Sequence, residues 1–409
     1  MTFISPLEFK KHGALPPMFV LYDFLLLFVK YQKTKTNINI NIGMNKKYAA
    51  TVGIFVVTNV CNYNCDNCNR LSNFHFAGKY RWADHKEEYR QWSEKVHLDR
   101  WEITGGEPMT SPDWMDWVRG VHELWPDSEG WFCTNGSLMD KNSKQLDDYY
   151  QLAMSSKGLL TMVITYHNAN RLGDVLKFIH SYLKDPIPTT RQLFNNEFVR
   201  IYKQLKSDDW PECNSFEDWD SLPPGIKLEC ENNFNFSVDI LKRTTIETMP
   251  ANGGLYFEDI NGVKIRCSVD DEFHDSPIIP DFDSGTFTLH NSDPEKAFEG
   301  CHEKSCCSDG PWSVVQFIEG KIYKCGASRL INDFDQQFHL NISDEDRQLL
   351  QSYIPGTVTQ TVDELDHWFK ILPYSIPQCK FCTEDWTYNN KFEAGTKKIF
   401  FKKKPRVRE

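Results

Sequence analysis

The sequence lacks three features that would each point to a particular class of protein. Its main apolar run, residues 19–29, contains Asp23 and is shorter than the about twenty residues that a membrane-spanning helix needs. It has no excess of basic residues, since 46 Lys and Arg stand against 57 Asp and Glu, a net charge of -11. Its cysteines do not have disulfide-like spacing. We therefore expect no transmembrane span, no stable nucleic-acid binding and no secreted disulfide framework.

The composition is that of a packed globular protein. Over 409 residues, a hydrophobic fraction of 40% and an aromatic fraction of 14% predict a large core. The 13 cysteines are clustered, which favours metal binding in a reducing compartment, so we expect a cytoplasmic protein. Residues 1–43 end in a polar, repetitive stretch, and we expect them to be an extension that the fold does not need. The basic end, residues 391–409, is expected to be a solvated tail.

Strands and helices alternate from Met44 onward, which predicts an α/β fold built from parallel βαβ units. The predicted strands are 53–58, 101–104, 131–136 and 159–167, and the predicted helices are 82–97, one with Ser111 as N-cap and Pro112 in its first turn, 142–154 and 171–183. Residues 227–249 are strand-like, and residues 256–268 and 315–328 have the pattern of two hairpins. Unusual loops follow the first strands, and in parallel folds such loops meet at one edge, where ligands bind.

The first of these loops, CNYNCDNC, places Cys61, Cys65 and Cys68 within eight residues. A closed zinc site needs four ligands, so three thiols would require a distant fourth such as His75 or Cys133. A four-iron cluster held by three thiolates instead leaves one iron open to a small ligand. The loop is followed, at the end of the second strand, by GGEP.

In this order the motifs resemble those of the radical S-adenosylmethionine (radical SAM) superfamily, over about residues 50–185. The resemblance implies a partial (β/α)6-type parallel barrel, a [4Fe–4S] cluster on Cys61, Cys65 and Cys68, and SAM bound at the open iron. The residues that correspond to the family's contacts with SAM are Gly105, Gly106, Glu107 and Pro108 for the methionine amino group, and Asn135 and Thr165 for ribose or carboxylate. The loop departs from the family pattern at Asn67, a position where the family usually has an aromatic residue. The only aromatic residue in this loop is Tyr63.

A second group of cysteines lies in the C-terminal part and is similar to the auxiliary cluster modules, SPASM or the shorter twitch, of many radical SAM enzymes. The sequence after Cys382 lacks the further cysteines of a full SPASM module, so a twitch-like α+β module is the better match. The resemblance implies a second [4Fe–4S] cluster, and a zinc ribbon is the alternative. Its ligands would be Cys325, Cys379 and Cys382 with Cys306 or Cys307, or with Cys301 in their place. The remaining cysteines, Cys133, Cys213, Cys230 and Cys267, are expected to be buried apolar side chains.

The predicted organisation is therefore an extension (1–43), a radical SAM core (44–250), a cysteine-rich module (251–390) and a tail (391–409). The resemblance implies reductive cleavage of SAM to a 5′-deoxyadenosyl radical that abstracts hydrogen from a substrate, with flavodoxin or ferredoxin as electron donor. A peptide or protein is the first choice of substrate, and a small molecule or nucleotide is the second. A third interpretation is that the protein is a non-catalytic iron–sulfur or zinc scaffold. The GGEP motif argues against it, because a scaffold does not need a binding site for SAM. No residue is singled out as a catalytic acid or base.

Overall fold

A computed structural model describes the larger part of the chain from Tyr48 to Glu384. The described residues are 48–63, 65, 68–74, 78–166, 172–184, 210–212, 218, 221–226, 255–269, 276–281, 283–301 and 314–384. All of them belong to the unit Tyr48–Glu409, one of two into which the chain divides. The predicted extension, the basic tail and the strand-like segment 227–249 lie outside the described residues, and the domain boundaries stay predictions.

Strands and helices alternate in the first half of the described chain, as the sequence predicts. The strands are β1 (Tyr48–Thr58), β2 (Val96–Gly105), β3 (Glu129–Thr134), β4 (Leu160–Tyr166), β5 (Leu255–Glu258), β6 (Lys264–Val269), β7 (Ile278–Asp281), β8 (Thr286–Leu289), β9 (Val314–Ile318) and β10 (Lys321–Tyr323). The helices are α1 (Trp82–Lys95), α2 (Trp114–Leu124), α3 (Ser143–Ser155), α4 (Leu172–Tyr182), α5 (Pro294–Glu299), α6 (Ala327–Phe338), α7 (Asp344–Gln351) and α8 (Val362–Lys370). None of the helices in these ranges is both long and apolar enough to cross a bilayer.

Eight strands form one sheet in the order β10-β9-β1-β2-β3-β4-β6-β5. The six strands from β9 to β6 in this order run parallel to their neighbours, and β10 and β5 pair antiparallel at the two edges. This mixed α/β sheet is consistent with a partial barrel of the predicted type. The two predicted hairpins are confirmed, since β5 and β6 form one and β9 and β10 form the other.

The position of β9 could not be read from the pattern of the sequence. Its residues Val314 to Phe317 pair with Val52 to Phe55 of β1, so the C-terminal part of the chain supplies a strand beside the first one. The rings of Phe55 and Phe317 stack with centroids 4.4 Å apart in the main core. The range predicted to be a separate cysteine-rich module thus shares this core.

Two boundaries of α1 and α2 differ from the prediction. Val96 was expected to continue α1, but its backbone is extended and it begins β2. Ser111 was expected to cap α2 with Pro112 in the first turn, but α2 begins at Trp114 with Asp113 as N-cap. The reason is the short 3-10 turn over Pro108–Thr110, which ends at Ser111 in extended geometry and delays helical geometry to Trp114.

A second hydrophobic cluster lies beside the main core and combines β7, β8, α6 and α7. At its centre the rings of Phe287 and Phe334 lie 5.0 Å apart, edge to face. Phe74, which follows the cysteine loop, packs against both rings, with each centroid 5.4 Å from its own. The segment that follows the cysteine loop is therefore anchored in this second cluster.

Candidate functional site

The described residues that follow β1, β2 and β3, together with the end of β4, lie at the carboxyl edge of the parallel strands. Cys61 follows β1, Gly105 ends β2, Asn135 follows β3, and Thr165 is the last residue but one of β4. The structure joins the first three of these positions through hydrogen bonds. Thr165 is half-buried and pairs with Ser268 of β6.

The GGEP turn is held against the end of β1 by backbone hydrogen bonds. The N–H of Gly106 donates to the carbonyl of Thr58 at 2.7 Å, and that of Glu107 to the carbonyl of Val60 at 2.8 Å. A Cβ at Gly105 would lie 2.2 Å from the Thr58 oxygen, and one at Gly106 would lie 2.3 Å from the Val60 oxygen. Both positions therefore require glycine, because the two backbones approach too closely for any side chain.

The carboxylate of Glu107 is buried, with 1% of the residue exposed, and it accepts three hydrogen bonds. Oε1 accepts from the Met109 N–H at 3.0 Å and from the Thr134 hydroxyl at 2.8 Å, and Oε2 accepts from the Asn135 N–H at 2.7 Å. Burial raises the pKa of Glu107 to about 7, although these donors oppose the shift. Glu107 thus connects the turn after β2 with the turn after β3.

Asn135 extends this network to the cysteine loop. Its Nδ2 lies 3.8 Å from the Sγ of Cys61 and donates to the Oδ1 of Asn62 at 3.1 Å. Asn62 in turn donates to the hydroxyl of Ser137 at 2.7 Å, and the Ser137 N–H donates back to Asn135 at 3.0 Å. The Ser137 hydroxyl also donates to the Oδ1 of Asn135, so three side chains form a closed ring between the cysteine loop and the turn at residues 134–136 after β3.

Sequence reasoning did not identify Asn62 and Ser137 as part of the site. Asn62 directly follows Cys61, and Ser137 lies two residues after Asn135. A short polar side chain beside a motif residue was the available signal, since such side chains bond to neighbouring loops.

Two cysteines of the loop are half-buried and Cys65 is buried. The Sγ of Cys61 accepts from the Tyr63 N–H at 3.4 Å, and burial raises the pKa of this thiol to about 12. Asn67, the departure from the family pattern, lies outside the described residues. His75, the possible fourth ligand of a zinc site, also lies outside them, so its role stays a prediction. The neighbouring Arg70 donates to the Oε1 of Gln316 at 2.7 Å, which ties the loop to β9.

The chemistry of the donors indicates which metal group this loop fits. Within the described ranges, no three His, Cys, Asp or Glu side chains converge on one metal ion. A four-iron cluster makes a different demand, because each thiolate binds its own iron. Three thiols on one loop, beside the N–H donor of Asn135, are a suitable donor set for an iron–sulfur cluster.

The C-terminal cysteines lie in neighbouring segments, but the second cluster stays a prediction. Cys301 follows α5, Cys325 lies between β10 and α6, and Cys379 is part of a 3-10 turn that ends just before Cys382. Cys306 and Cys307 fall outside the described residues. Hydrogen bonds join two of the segments, since the Ser292 N–H donates to the Lys380 carbonyl at 2.9 Å. Of the remaining cysteines, Cys267 is buried as expected and Cys133 is half-buried, while Cys213 and Cys230 are not described.

Comparison with known proteins gives structural matches only, since no family model and no curated protein matches the chain. Streptococcus suis SuiB bound to S-adenosylmethionine is 13% identical over 84% of this chain and 71% of that chain, with a TM-score of 0.36. SuiB bound to the precursor peptide SuiA is 12% identical over 93% and 74%, with a TM-score of 0.28. BtrN in complex with AdoMet and 2-DOIA is 20% identical over 30% of this chain and 47% of that chain, about half of its length, with a TM-score of 0.23.

Superpositions with TM-scores this low carry no argument about individual residues. The functional assignment of this chain therefore depends on its own site.

Proposed function

We propose that this protein is a radical SAM enzyme with its cluster on Cys61, Cys65 and Cys68. The observation that carries the proposal is the position of Asn135, whose side chain contacts Cys61 and whose backbone N–H binds Glu107. Three motifs on three strands thus share one network. When bound, the cluster would supply the electron that cleaves SAM to methionine and a 5′-deoxyadenosyl radical, which takes hydrogen from the substrate.

The residues of the GGEP turn would hold the methionine part of SAM. Gly105 and Gly106 allow the turn to approach β1 without a side chain between them. Because Glu107 already accepts three hydrogen bonds and is buried, we assign it mainly to holding the turn in place. When ionised, its carboxylate would also favour the ammonium of the ligand, because burial limits screening by solvent. Asn135 and Thr165 stay proposed contacts of ribose or carboxylate.

The finer functional assignments are also proposals. We favour a peptide or protein substrate, because the C-terminal cysteines resemble modules that accompany such reactions, and a small molecule or nucleotide is the alternative. Cys325, Cys379 and Cys382, with one of Cys301, Cys306 and Cys307, would hold a second [4Fe–4S] cluster or zinc. The electron would come from a carrier such as flavodoxin or ferredoxin in the cytoplasm.

The test is SAM cleavage by anaerobically reconstituted, reduced protein. We expect equal amounts of 5′-deoxyadenosine and methionine from the wild type, and neither from Cys61→Ala, Cys65→Ala or Cys68→Ala. Cys267→Ala is the matched control, because this cysteine is also buried but lies on β6 away from the loop. Iron-loaded wild type that forms no 5′-deoxyadenosine would support the scaffold reading instead.

Metal analysis of the same preparations tests the second site. Two four-iron clusters would give about eight irons per chain, and removal of the three loop cysteines should leave about four. About four irons with one zinc in the wild type would assign zinc to the C-terminal cysteines. That result would leave the proposal for the first cluster unchanged.

A further inference from the structure

The segment that leaves the cysteine loop has an unusual backbone conformation. The N–H of Leu71 donates to the carbonyl of Cys68 at 2.9 Å, which closes a turn directly after the third cysteine. Leu71 has a φ of 58°, in the left-handed region that residues other than glycine rarely adopt. Such a conformation persists only where the surrounding structure enforces it. Because the turn joins the two residues, the contacts that hold Leu71 also hold Cys68.

The apolar packing of this segment comes from the C-terminal part of the chain. Leu71 is fully buried in the second hydrophobic cluster, to which α6 contributes Leu330, Ile331 and Phe334. Phe74, at the end of the 3-10 turn that follows Leu71, packs edge to face on Phe334. The segment after the cysteine loop therefore depends on α6.

Arg70 makes a polar contact from the same segment. Its Nη1 donates to the Oε1 of Gln316 at 2.7 Å. Gln316 is fully buried on β9, where it pairs with Ile54 of β1. A charged donor makes this one of the stronger kinds of hydrogen bond, and partial burial limits its screening by solvent. The side chain of Arg70 thus connects the end of the cysteine loop to the sheet.

Gly326, which directly follows Cys325, lies against this hydrogen bond. A Cβ at Gly326 would be 2.9 Å from the Oε1 of Gln316 and 3.0 Å from the Nη1 of Arg70. The backbone of Gly326 is right-handed, with a φ of -61°, so its conformation does not require glycine. The close approach of the two side chains is what a larger residue would disturb.

Gly326 is also the N-cap of α6, and its carbonyl accepts from the N–H of Leu330 at 2.9 Å. One helix thus meets the exit of the cysteine loop at its start, where Gly326 lies against Arg70, and along its length, where Phe334 packs on Phe74. Packing and hydrogen bonds of this kind keep a site in a single geometry. The position of Cys68 therefore depends on residues more than two hundred positions away in the sequence.

We propose that Arg70 is a positioning residue for the cluster on the cysteine loop, the loop cluster, and holds Cys68 in place through Gln316 and Gly326. Arg70 is not a ligand, and it acts through the backbone turn between Cys68 and Leu71. Removal of a residue that orients a metal ligand from outside the site typically costs about 10- to 100-fold in metal affinity. The C-terminal part of the chain would thus determine how firmly the loop retains its cluster. The inference deepens the proposed function and rests on it.

The test follows the loop cluster of anaerobically reconstituted, reduced protein by electron paramagnetic resonance. Its signal is the one that is missing when Cys61, Cys65 and Cys68 are all replaced by Ala. We expect Arg70→Ala to lose this signal to EDTA about tenfold faster than the wild type, with shifted g values, because a displaced Cys68 alters the coordination of the cluster. Arg70→Lys, which keeps a charged donor without the planar fork, should recover part of the retention. Arg90→Ala, an exposed arginine on α1, is the matched control and should equal the wild type.

A double-mutant cycle tests whether the contact itself is responsible. Gly326→Ala should also speed the loss of the signal, because its Cβ displaces Arg70 and Gln316. In the Arg70→Ala background the same change should add less than about twofold, since coupled residues are not additive. Gly225→Ala, whose Cβ would meet nothing within 4 Å, is the matched control.

Three outcomes would overturn the proposal. They are wild-type retention of the cluster in folded Arg70→Ala, unchanged g values with only a lower melting temperature, and an equal effect of Gly326→Ala with and without Arg70. Formation of 5′-deoxyadenosine by the same samples tests the enzyme separately. A wild type that holds the loop cluster but forms none would contradict the proposed enzyme and leave the role of Arg70 in place, whereas a wild type without the loop signal would overturn both.

Discussion

The Nδ2 of Asn135 lies 3.8 Å from the Sγ of Cys61, so a side chain that follows β3 contacts the first of the proposed cluster ligands. An N–H donor to a ligating sulfur stabilises the more negative, reduced state of a cluster and raises its potential. The second hydrogen of the amide is held by Asn62, which fixes its orientation.

We predict that Asn135→Ala lowers the midpoint potential of the loop cluster. Loss of one hydrogen bond of about 1 kcal/mol corresponds to about 40 mV for one electron. Potentiometry followed by electron paramagnetic resonance measures this shift independently of activity. Asn341→Ala, an exposed asparagine distant in the chain, should leave the potential unchanged, and an unchanged potential in Asn135→Ala would show that the contact has no electronic role.

We predict that Gly106→Ala abolishes SAM cleavage and lowers the free energy of unfolding by about 2 kcal/mol or more. The added Cβ would lie 2.3 Å from the Val60 carbonyl oxygen, so the turn must move away from β1. Gly225→Ala is the matched control, because its Cβ would meet nothing within 4 Å. Normal cleavage and a normal melting curve for Gly106→Ala would contradict the close approach.

We predict that Glu107 makes iron-free protein less stable as the pH rises. Its folded pKa of about 7 lies above the ordinary value of 4.5, so between these values the folded state binds more protons than the unfolded state. The contribution is fully present below about pH 4.5 and is lost through pH 7, at most about 3 kcal/mol. Urea unfolding at several pH values should show a flatter profile for Glu107→Gln than for the wild type.

The exposed Glu129→Gln is the control for this measurement and should keep the wild-type profile. If Glu107→Gln and the wild type have the same pH profile, Glu107 does not titrate in this range.

We predict that Phe317→Ala destabilises the whole sheet by about 3–5 kcal/mol. Phe317 is fully buried and stacks on Phe55 of β1, so its loss leaves a cavity in the main core. Thermal unfolding should stay a single transition at a lower temperature, with Ile354→Ala, which is 69% exposed, as the control. Two separate transitions would show that the C-terminal part unfolds independently.

The elements that the sequence predicted best are those with a local physical signal. The β-branched run of β1 is such a signal. The assignment of Cys61, Cys65 and Cys68 to a cluster also comes from a local spacing, and it stays a prediction. The burial of Glu107 and the bond from Asn135 depend on contacts between different strands, which no periodicity records. The start of α2 was also missed, because the 3-10 turn over Pro108–Thr110 is followed by extended backbone at Ser111.

The pairing of β9 with β1 sets an order for assembly. The ribosome completes β1 at Thr58, yet its neighbour β9 begins only at Val314, so one edge of β1 stays open during most of the synthesis. Open strand edges pair readily with other chains until they are covered. Because the cysteine loop leaves β1 and is tied to β9 through Arg70, we expect the loop to reach its final shape only after the C-terminal hairpin has emerged. Cluster insertion would then be a late, post-translational event.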